Sequence, residues 1–289
     1  MSGGGFVTRF APSPTGPLHQ GHAFSALTAF DAARAADGRF LLRIEDIDTA
    51  RARRPFEDAI YRDLAWLGVK WENPVRRQSE HLADYAAALD RLQDRGLLYR
   101  CFRTRKEIAA AITSAPHGPA GHRPFRGGPL PPDEEARRLA EGQAFAWRLS
   151  LDAARAEFGG DWDGLTFLEE GAGPGGEAGV IPVRPERHGD VILARKDVGV
   201  AYHLAVVVDD ALQGVDNVIR GQDLFDAVHI QRLLQALLGL PAPVYRHHRL
   251  LLGPDGKRLA KRNGAESLQA LRERGVAPAT LRAELGLSG

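Results

Sequence analysis

The chain has 289 residues, about twice the usual 100–200 of a single domain, so one large or two modest domains are expected. With 44% hydrophobic and 26% charged residues, and no apolar run near the roughly 18 residues of a bilayer span, it is neither mainly disordered, collagen-like nor membrane-spanning. Lys plus Arg total 38 against 37 Asp plus Glu, and a net charge of +1 supplies no global field for nucleic acid, so any RNA contact must come from local basic patches.

Residues 6–10 read as a short buried strand, followed by a turn-forming stretch over 11–17 rich in proline. A helix starts near His22, with Ala23, Leu27 and Phe30 on one face and Gly38 at its exit. Residues 40–44 form the next apolar run and end in Glu45, Asp46 and Asp48, which makes a βαβ unit with a parallel pair. Pro55 opens a helix with Phe56, Ile60, Leu64 and Leu67 inward, and Ser79 fits the cap of another with Leu82, Tyr85, Leu89 and Leu92 inward. Thr104 with Glu107 fits a capping box, after which residues 114–132 hold six prolines and four glycines and read as an inserted loop. Residues 144–150 read as a strand, and the glycine-rich stretch 159–189 as an irregular excursion with short hairpin pieces. Residues 202–208 are strongly apolar and end in Asp209 and Asp210; 226–238 form an amphipathic helix, and two short helices follow Glu266.

The strongest local pattern is Pro17-Leu18-His19-Gln20-Gly21-His22 at the junction of strand and helix, where backbone N–H groups and the positive helix end favour an anion. Two histidines three residues apart can face such a site, and Gly21 lets a bulky nucleotide approach the backbone. A pair of surface histidines flanking a helix start is the plainer alternative. A second pattern is Lys257-Arg258-Leu259-Ala260-Lys261-Arg262-Asn263, whose four cations suit a triphosphate or make a solvated basic loop.

Together these patterns resemble the paired motifs of class I aminoacyl-tRNA synthetases. Arg9-Phe10-Ala11-Pro12-Ser13-Pro14-Thr15-Gly16 is similar to the opening motif of the glutamyl/glutaminyl branch. Leu42 to Asp48, Tyr202 to Asp210 and Val218-Ile219-Arg220-Gly221 are similar to its further blocks, in the same order. The resemblance implies an α/β fold, a Rossmann-like class I synthetase catalytic core over residues 1–100 and 190–289 with an inserted smaller α+β subdomain over 101–189. It implies an amino acid pocket made by Arg9, Phe10, Ala11, Pro12 and Ser13, with Glu45 on the ammonium and Tyr202 and Arg220 completing it. It also implies an ATP site made by His19, Gly21, His22, Arg258 and Lys261, in which His19, His22 and Lys261 are catalytic. Two arginines and one carboxylate match the charges of L-glutamate, and bidentate pairing favours its carboxylates over a neutral amide. Taken singly, Arg9 with Glu45 also reads as a structural ion pair, and Tyr202 as core.

Only about two dozen residues follow Arg262, and a free-standing domain of this branch resembles the synthetases that attach glutamate to queuosine in tRNA(Asp). The expected partners are therefore L-glutamate, ATP with Mg2+, and tRNA(Asp) carrying queuosine. The alternatives are a truncated glutamyl enzyme charging a tRNA 3′ end, a small-molecule nucleotidyltransferase, and a non-catalytic RNA-binding paralogue. A zinc site common in the family is expected to be lost, since only Cys101 and His122 remain, with Gly118 at the tyrosine position. Ala260 stands where a serine is common. Arg51, Arg53, Arg54, Arg100, Arg103, Arg105 and Lys106 are candidate RNA phosphate contacts or a solvated face. One cysteine fits a cytoplasmic protein without a disulfide framework, residues 1–5 lack the blocks of a secretory signal, and the expected state is a monomer.

Overall fold

The computed structural model describes residues 5–104, 106–108, 124–195, 199–253 and 266–287. Three parallel strands, β1 (Val7–Phe10), β2 (Arg39–Ile44) and β3 (Glu72–Arg77), lie in that order. Helix α1 (Gln20–Ala35) makes the crossover from β1 to β2, and α2 (Arg54–Trp66) that from β2 to β3. The expected βαβ unit is thus present. Strand β3, Glu-Asn-Pro-Val-Arg-Arg, has no apolar run because it is an edge strand with exposed and half-buried side chains. After it, α3 (Leu82–Asp94) leads to β4 (Leu98–Cys101).

Strand β4 starts a second, antiparallel sheet of order β4-β5-β8, with β5 (Ala146–Leu149) and β8 (Ile192–Arg195). Two helices, α4 (Pro132–Ala140) and α5 (Leu151–Phe158), flank it in the chain. The glycine-rich excursion is more ordered than its composition suggests. Within it β6 (Thr166–Glu169) and β7 (Gly179–Pro182) form an antiparallel hairpin, and β6 also pairs in parallel with β10 (Val244–His248). With β9 (Asn217–Gly221) they make a sheet of order β7-β6-β10-β9.

The apolar segment 202–208 is a helix, α6 (Tyr202–Leu212), packed on α7 (Ala227–Leu238) and α3 in one apolar core. Helices α8 (Leu268–Glu273) and α9 (Pro278–Glu284) pack their Leu268, Leu271 and Leu281 into a second core, under α1 and β2. Leu82, expected inward, is exposed in the first turn of α3, where Tyr85, Ala88 and Leu92 are the buried residues. Ser79 does not cap this helix. Its N–H and hydroxyl instead bind the Asp46 carboxylate at 2.8 and 2.6 Å, because that buried acid needs donors and the helix begins only at Leu82. The Thr104–Glu107 capping box is formed. Among the described residues, no helix is long and apolar enough to cross a membrane.

β1 lies beside β9 without a strand ladder. Val7 N–H donates to the Asp216 carboxylate at 2.7 Å and Val7 C=O accepts from Asp216 N–H at 3.2 Å. The cleft at the carboxyl ends of β1 and β9 is where an open α/β sheet places a ligand. A buried ionic junction ties this seam to the helices. Asp210, near the end of α6, accepts from Arg9 Nε at 3.0 Å and from Arg43 Nη1 at 2.8 Å. Arg43, fully buried on β2, also faces Glu45 at 3.3 Å and Asp209 at 3.6 Å. Asp209 in turn accepts from Arg76, Gln78 and Tyr85.

Burial opposes the charge on Arg43, yet Asp210, Glu45 and Asp209 raise its pKa further above its ordinary value. Removing it takes the shared cation from three carboxylates, of which Glu45 loses its ion-pair partner while Asp210 keeps Arg9 and Asp209 keeps Arg76. Arg43→Met is expected to cost about 3–5 kcal/mol of unfolding free energy, the range for breaking a buried ion pair from one side, as measured by urea denaturation.

Candidate functional site

The cleft at the ends of β1 and β9 has a volume of about 400 Å3. It brings together Arg9, Phe10, Ala11, Pro12 and Ser13 from β1 and its following turn, His19, Gly21 and His22 from the start of α1, Glu45 from the end of β2, Tyr202 from α6 and Arg220 from β9. Every residue predicted for the pocket that lies in the described segments is therefore in its wall. Arg258 and Lys261 lie outside the described residues, as do Ala260, Gly118, His122 and Arg105. The chain beyond the basic stretch returns to the cleft: Ser267 forms an antiparallel bridge with His19, and Leu268 N–H donates to Leu18 C=O at 2.9 Å.

The histidines are built into the helix start. His19 is the N-cap of α1 and its Nδ1 accepts from Gly21 N–H at 3.0 Å, while His22 Nδ1 accepts from His19 N–H at 3.1 Å. This is a reciprocal capping box made of two imidazoles. Since both Nδ1 atoms accept, the neutral rings carry their proton on Nε2. Gly21 lines the cleft and also serves the histidine: its N–H is used by His19, and a Cβ there would stand 2.9 Å from His19 Cε1, so glycine makes room for the ring.

The charges are more numerous than a count of Arg9, Arg220 and Glu45 suggests. Arg9 does not pair with Glu45; it spends Nε and one Nη2 hydrogen on Asp210, and Glu45 pairs with Arg43. Burial would raise the Asp210 carboxyl, but Arg9 and Arg43 outweigh it and hold it below the ordinary carboxylate range. For Glu45 burial wins over Arg43 and Arg9, helped by repulsion from Asp210 and Asp209, and its carboxyl is pushed up. Burial likewise raises the Tyr202 phenol.

Arg220 is 5% exposed and, among the described residues, pairs with no carboxylate. Its Nε donates to His247 at 3.1 Å, its Nη2 to Gln231 at 2.9 Å and Leu224 C=O at 3.1 Å, and its Nη1 to the Tyr202 hydroxyl at 3.4 Å. A second hollow of about 340 Å3 shares Ser13, Glu45 and Tyr202 with the first and is lined further by Asp48, Arg51 and Arg195. In the sequence Arg43, Asp209 and Asp210 stand out only as parts of motifs. The available signal was that Arg43 stands inside an apolar strand, where a charge needs buried partners.

Of the candidate phosphate contacts, Arg51 pairs with Asp48 at 2.6 Å and Arg54 with Glu57 and Asp58 at 3.5 and 3.4 Å. Arg53 donates to backbone carbonyls, and Arg100 lies 4.5 Å over the Trp147 ring. Cys101 is buried on β4. Among the described residues, no group of three His, Cys, Asp or Glu side chains can hold a metal ion.

Residues 6–161 and 175–289 match the family of class I tRNA synthetases (E and Q), catalytic domain. The chain belongs to this family. It is 48% identical to the Glutamyl-Q tRNA(Asp) synthetase of Rhodobacter capsulatus, over 97% of this chain and 100% of that one. The Glutamate--tRNA ligase 1 of Ruegeria pomeroyi is 40% identical over 95% of this chain but only 59% of its own length. Among solved structures, a glutamate tRNA ligase from Elizabethkingia meningosepticum in complex with its amino acid superposes with a TM-score of 0.71 at 27% identity, covering 90% of this chain. This chain spans about half of that structure, 53% of its length.

Capping and cleft chemistry at His19 are separable in this family member. Asparagine is a strong N-cap and alanine a poor one, so His19→Asn is expected to hold the unfolding free energy within about 0.5 kcal/mol and His19→Ala to lose about 1 kcal/mol in urea titrations.

Proposed function

We propose that the chain is an ATP-dependent ligase that activates L-glutamate as glutamyl-adenylate and transfers the glutamyl group to the queuosine base of tRNA(Asp). The observation that carries the reading is the charge pattern of the cleft: a buried Arg220, without a direct carboxylate partner among the described residues, lines the same cavity as Glu45, beside two histidines at a helix mouth. A ligand carboxylate supplies the anion that Arg220 lacks, while an ammonium and a second carboxylate on the same ligand match the cavity-facing sides of Glu45 and Arg9. The choice of acceptor rests on likeness, over its full length, to a protein named Glutamyl-Q tRNA(Asp) synthetase.

Activation is attack of the glutamate α-carboxylate on the α-phosphorus of ATP, which releases pyrophosphate. The cleft holds the two reactants in line, and Nε2–H groups of His19 and His22 donate to the phosphates as charge develops. Lys261 and Arg258 are assigned the same role from the motif resemblance. Arg220 takes one glutamate carboxylate, Arg9 offers its remaining Nη1 side, and Glu45 takes the ammonium. Transfer is attack of a cyclopentene hydroxyl of queuosine on the mixed anhydride, with AMP leaving, and the hollow bordered by Asp48 and Arg195 gives that ring room. Magnesium would accompany ATP, held mainly by its phosphates and water, and would neutralise phosphate charge there; among the described residues no group of three His, Cys, Asp or Glu side chains forms a protein cage for it.

Two measurements test the reading. Glutamate-dependent ATP–pyrophosphate exchange is expected without RNA, and labelled glutamate is expected on the queuosine nucleoside after digestion of tRNA(Asp). Label that appears only on tRNA(Glu) overturns the choice of acceptor. The raised Glu45 carboxyl sets the sign of a pH effect: it takes up a proton at higher pH than an ordinary glutamate, so kcat/KM for glutamate falls on acidification as the anion facing the ammonium is lost. In Glu45→Gln that acid limb is expected to vanish, with kcat/KM lower by roughly tenfold or more where wild-type Glu45 is ionised, the scale of one charge-assisted hydrogen bond, and with the gap closing on acidification.

A further inference from the structure

Behind Arg220 lies a buried chain of polar groups that the reaction above does not use. Glu169, at the end of β6, is 1% exposed, and His247 on β10 is 3% exposed. Glu169 Oε1 accepts from the backbone N–H groups of His247 and Gly171, both at 2.8 Å, and Oε2 sits 2.6 Å from His247 Nδ1. His247 Nε2 then lies 3.1 Å from Arg220 Nε. A guanidinium nitrogen can only donate, so Nε2 must accept and the ring proton must be on Nδ1, where the carboxylate receives it.

The surroundings keep this geometry. The His247 ring is stacked with Tyr245 at 6.1 Å between centroids and meets Phe225 edge-on at 5.3 Å. A Cβ at Gly171 would come 2.3 Å from His247 C=O and 2.7 Å from its N–H nitrogen, so the turn after β6 closes on His247 only with glycine. Burial would raise the Glu169 carboxyl, but the hydrogen bonds from His247 outweigh it and hold it below its ordinary range.

We propose that Glu169 and His247 are positioning residues that fix Arg220 for the glutamate carboxylate by locking the His247 tautomer. Glu169 sets the proton on Nδ1, His247 Nε2 takes Arg220 Nε, and Gln231 and Leu224 C=O take Nη2. With those edges occupied, the Nη1 edge is the one left to the cleft beside Tyr202. Charge compensation for Arg220 therefore arrives through an imidazole rather than by direct contact, which leaves the guanidinium able to take a carboxylate from a ligand. The inference rests on the functional reading for its ligand but not for its geometry.

Glu169→Gln tests it with little change of shape. The amide oxygen can still accept from the two backbone N–H groups, while the amide NH2 now donates to Nδ1 and forces the proton to Nε2, against Arg220. The expected result is a rise in KM for glutamate of roughly tenfold or more, the scale of losing one charge-assisted hydrogen bond, with KM for ATP and the thermal midpoint little changed. In 15N-histidine-labelled protein, the His247 ring shifts are expected to read Nδ1–H in the wild type and Nε2–H in the variant. His247 is assigned by the signal lost in His247→Gln. The double variant Glu169→Gln with His247→Gln restores an acceptor for Arg220 and is expected to recover KM to within about threefold of wild type.

A switched tautomer with unchanged KM, or an Nε2–H ring in the wild type, overturns the proposal. A fall in thermal midpoint without a shift in either tautomer or KM assigns the pair to stability alone and overturns it too. The ring shifts need no substrate, so absence of glutamate-dependent exchange in the wild type overturns the functional reading and not this one.

Discussion

Asp210 accepts hydrogen bonds from two arginines on neighbouring strands, Arg9 on β1 and Arg43 on β2, and the pocket inherits its geometry from that shared carboxylate. Removing several charges from water is costly, and the cost is offset only if each group finds well-placed opposite partners. Here the partners are drawn from β1, β2, β3, α3 and α6, so the ionic demand can be met only when all of these elements are in place. The residues that line the cleft are the outer rim of this network. Arg9 and Glu45 each face inward to an opposite charge with part of the side chain and outward to the cavity with the rest.

This arrangement divides labour between two arginines. Arg9 has its charge met by Asp210 and acts from a fixed position. Arg220 is held by neutral acceptors, a histidine, an amide, a carbonyl and a phenol, and keeps most of its attraction for an incoming anion. The contrast follows from what lies behind each side chain: an acidic pair at the end of α6 for one, and the β6–β10 pairing for the other.

Much of the site was legible because it resides in contiguous blocks. Arg9 to Gly16, His19 to His22 and Leu42 to Asp48 each carry several pocket residues on one strand end or turn, and the βαβ reading follows from one apolar run, one helical stripe and a second run. What sequence did not disclose depends on long-range pairing. Strand β3 lacks an apolar pattern since its edge faces solvent, and β6 sits in a stretch whose glycines mask the strand that pairs with β10. Glu169 and His247 are 78 positions apart, and no local spacing links them. Ser79 shows a second limit: a serine before a helical stripe suggests a cap, while the buried Asp46 carboxylate has the stronger need of its donors.

The seam between β1 and β9 carries backbone groups and one aspartate rather than a ladder of strand hydrogen bonds. Val7 and Val218 lie in one apolar cluster and Phe10 and Ile219 in another. The halves of the molecule are therefore joined along this line by packed side chains and a single aspartate bridge, and the width of the cleft mouth, which opens at the end of the seam, is set by side-chain size rather than by the fixed spacing of a hydrogen-bonded sheet.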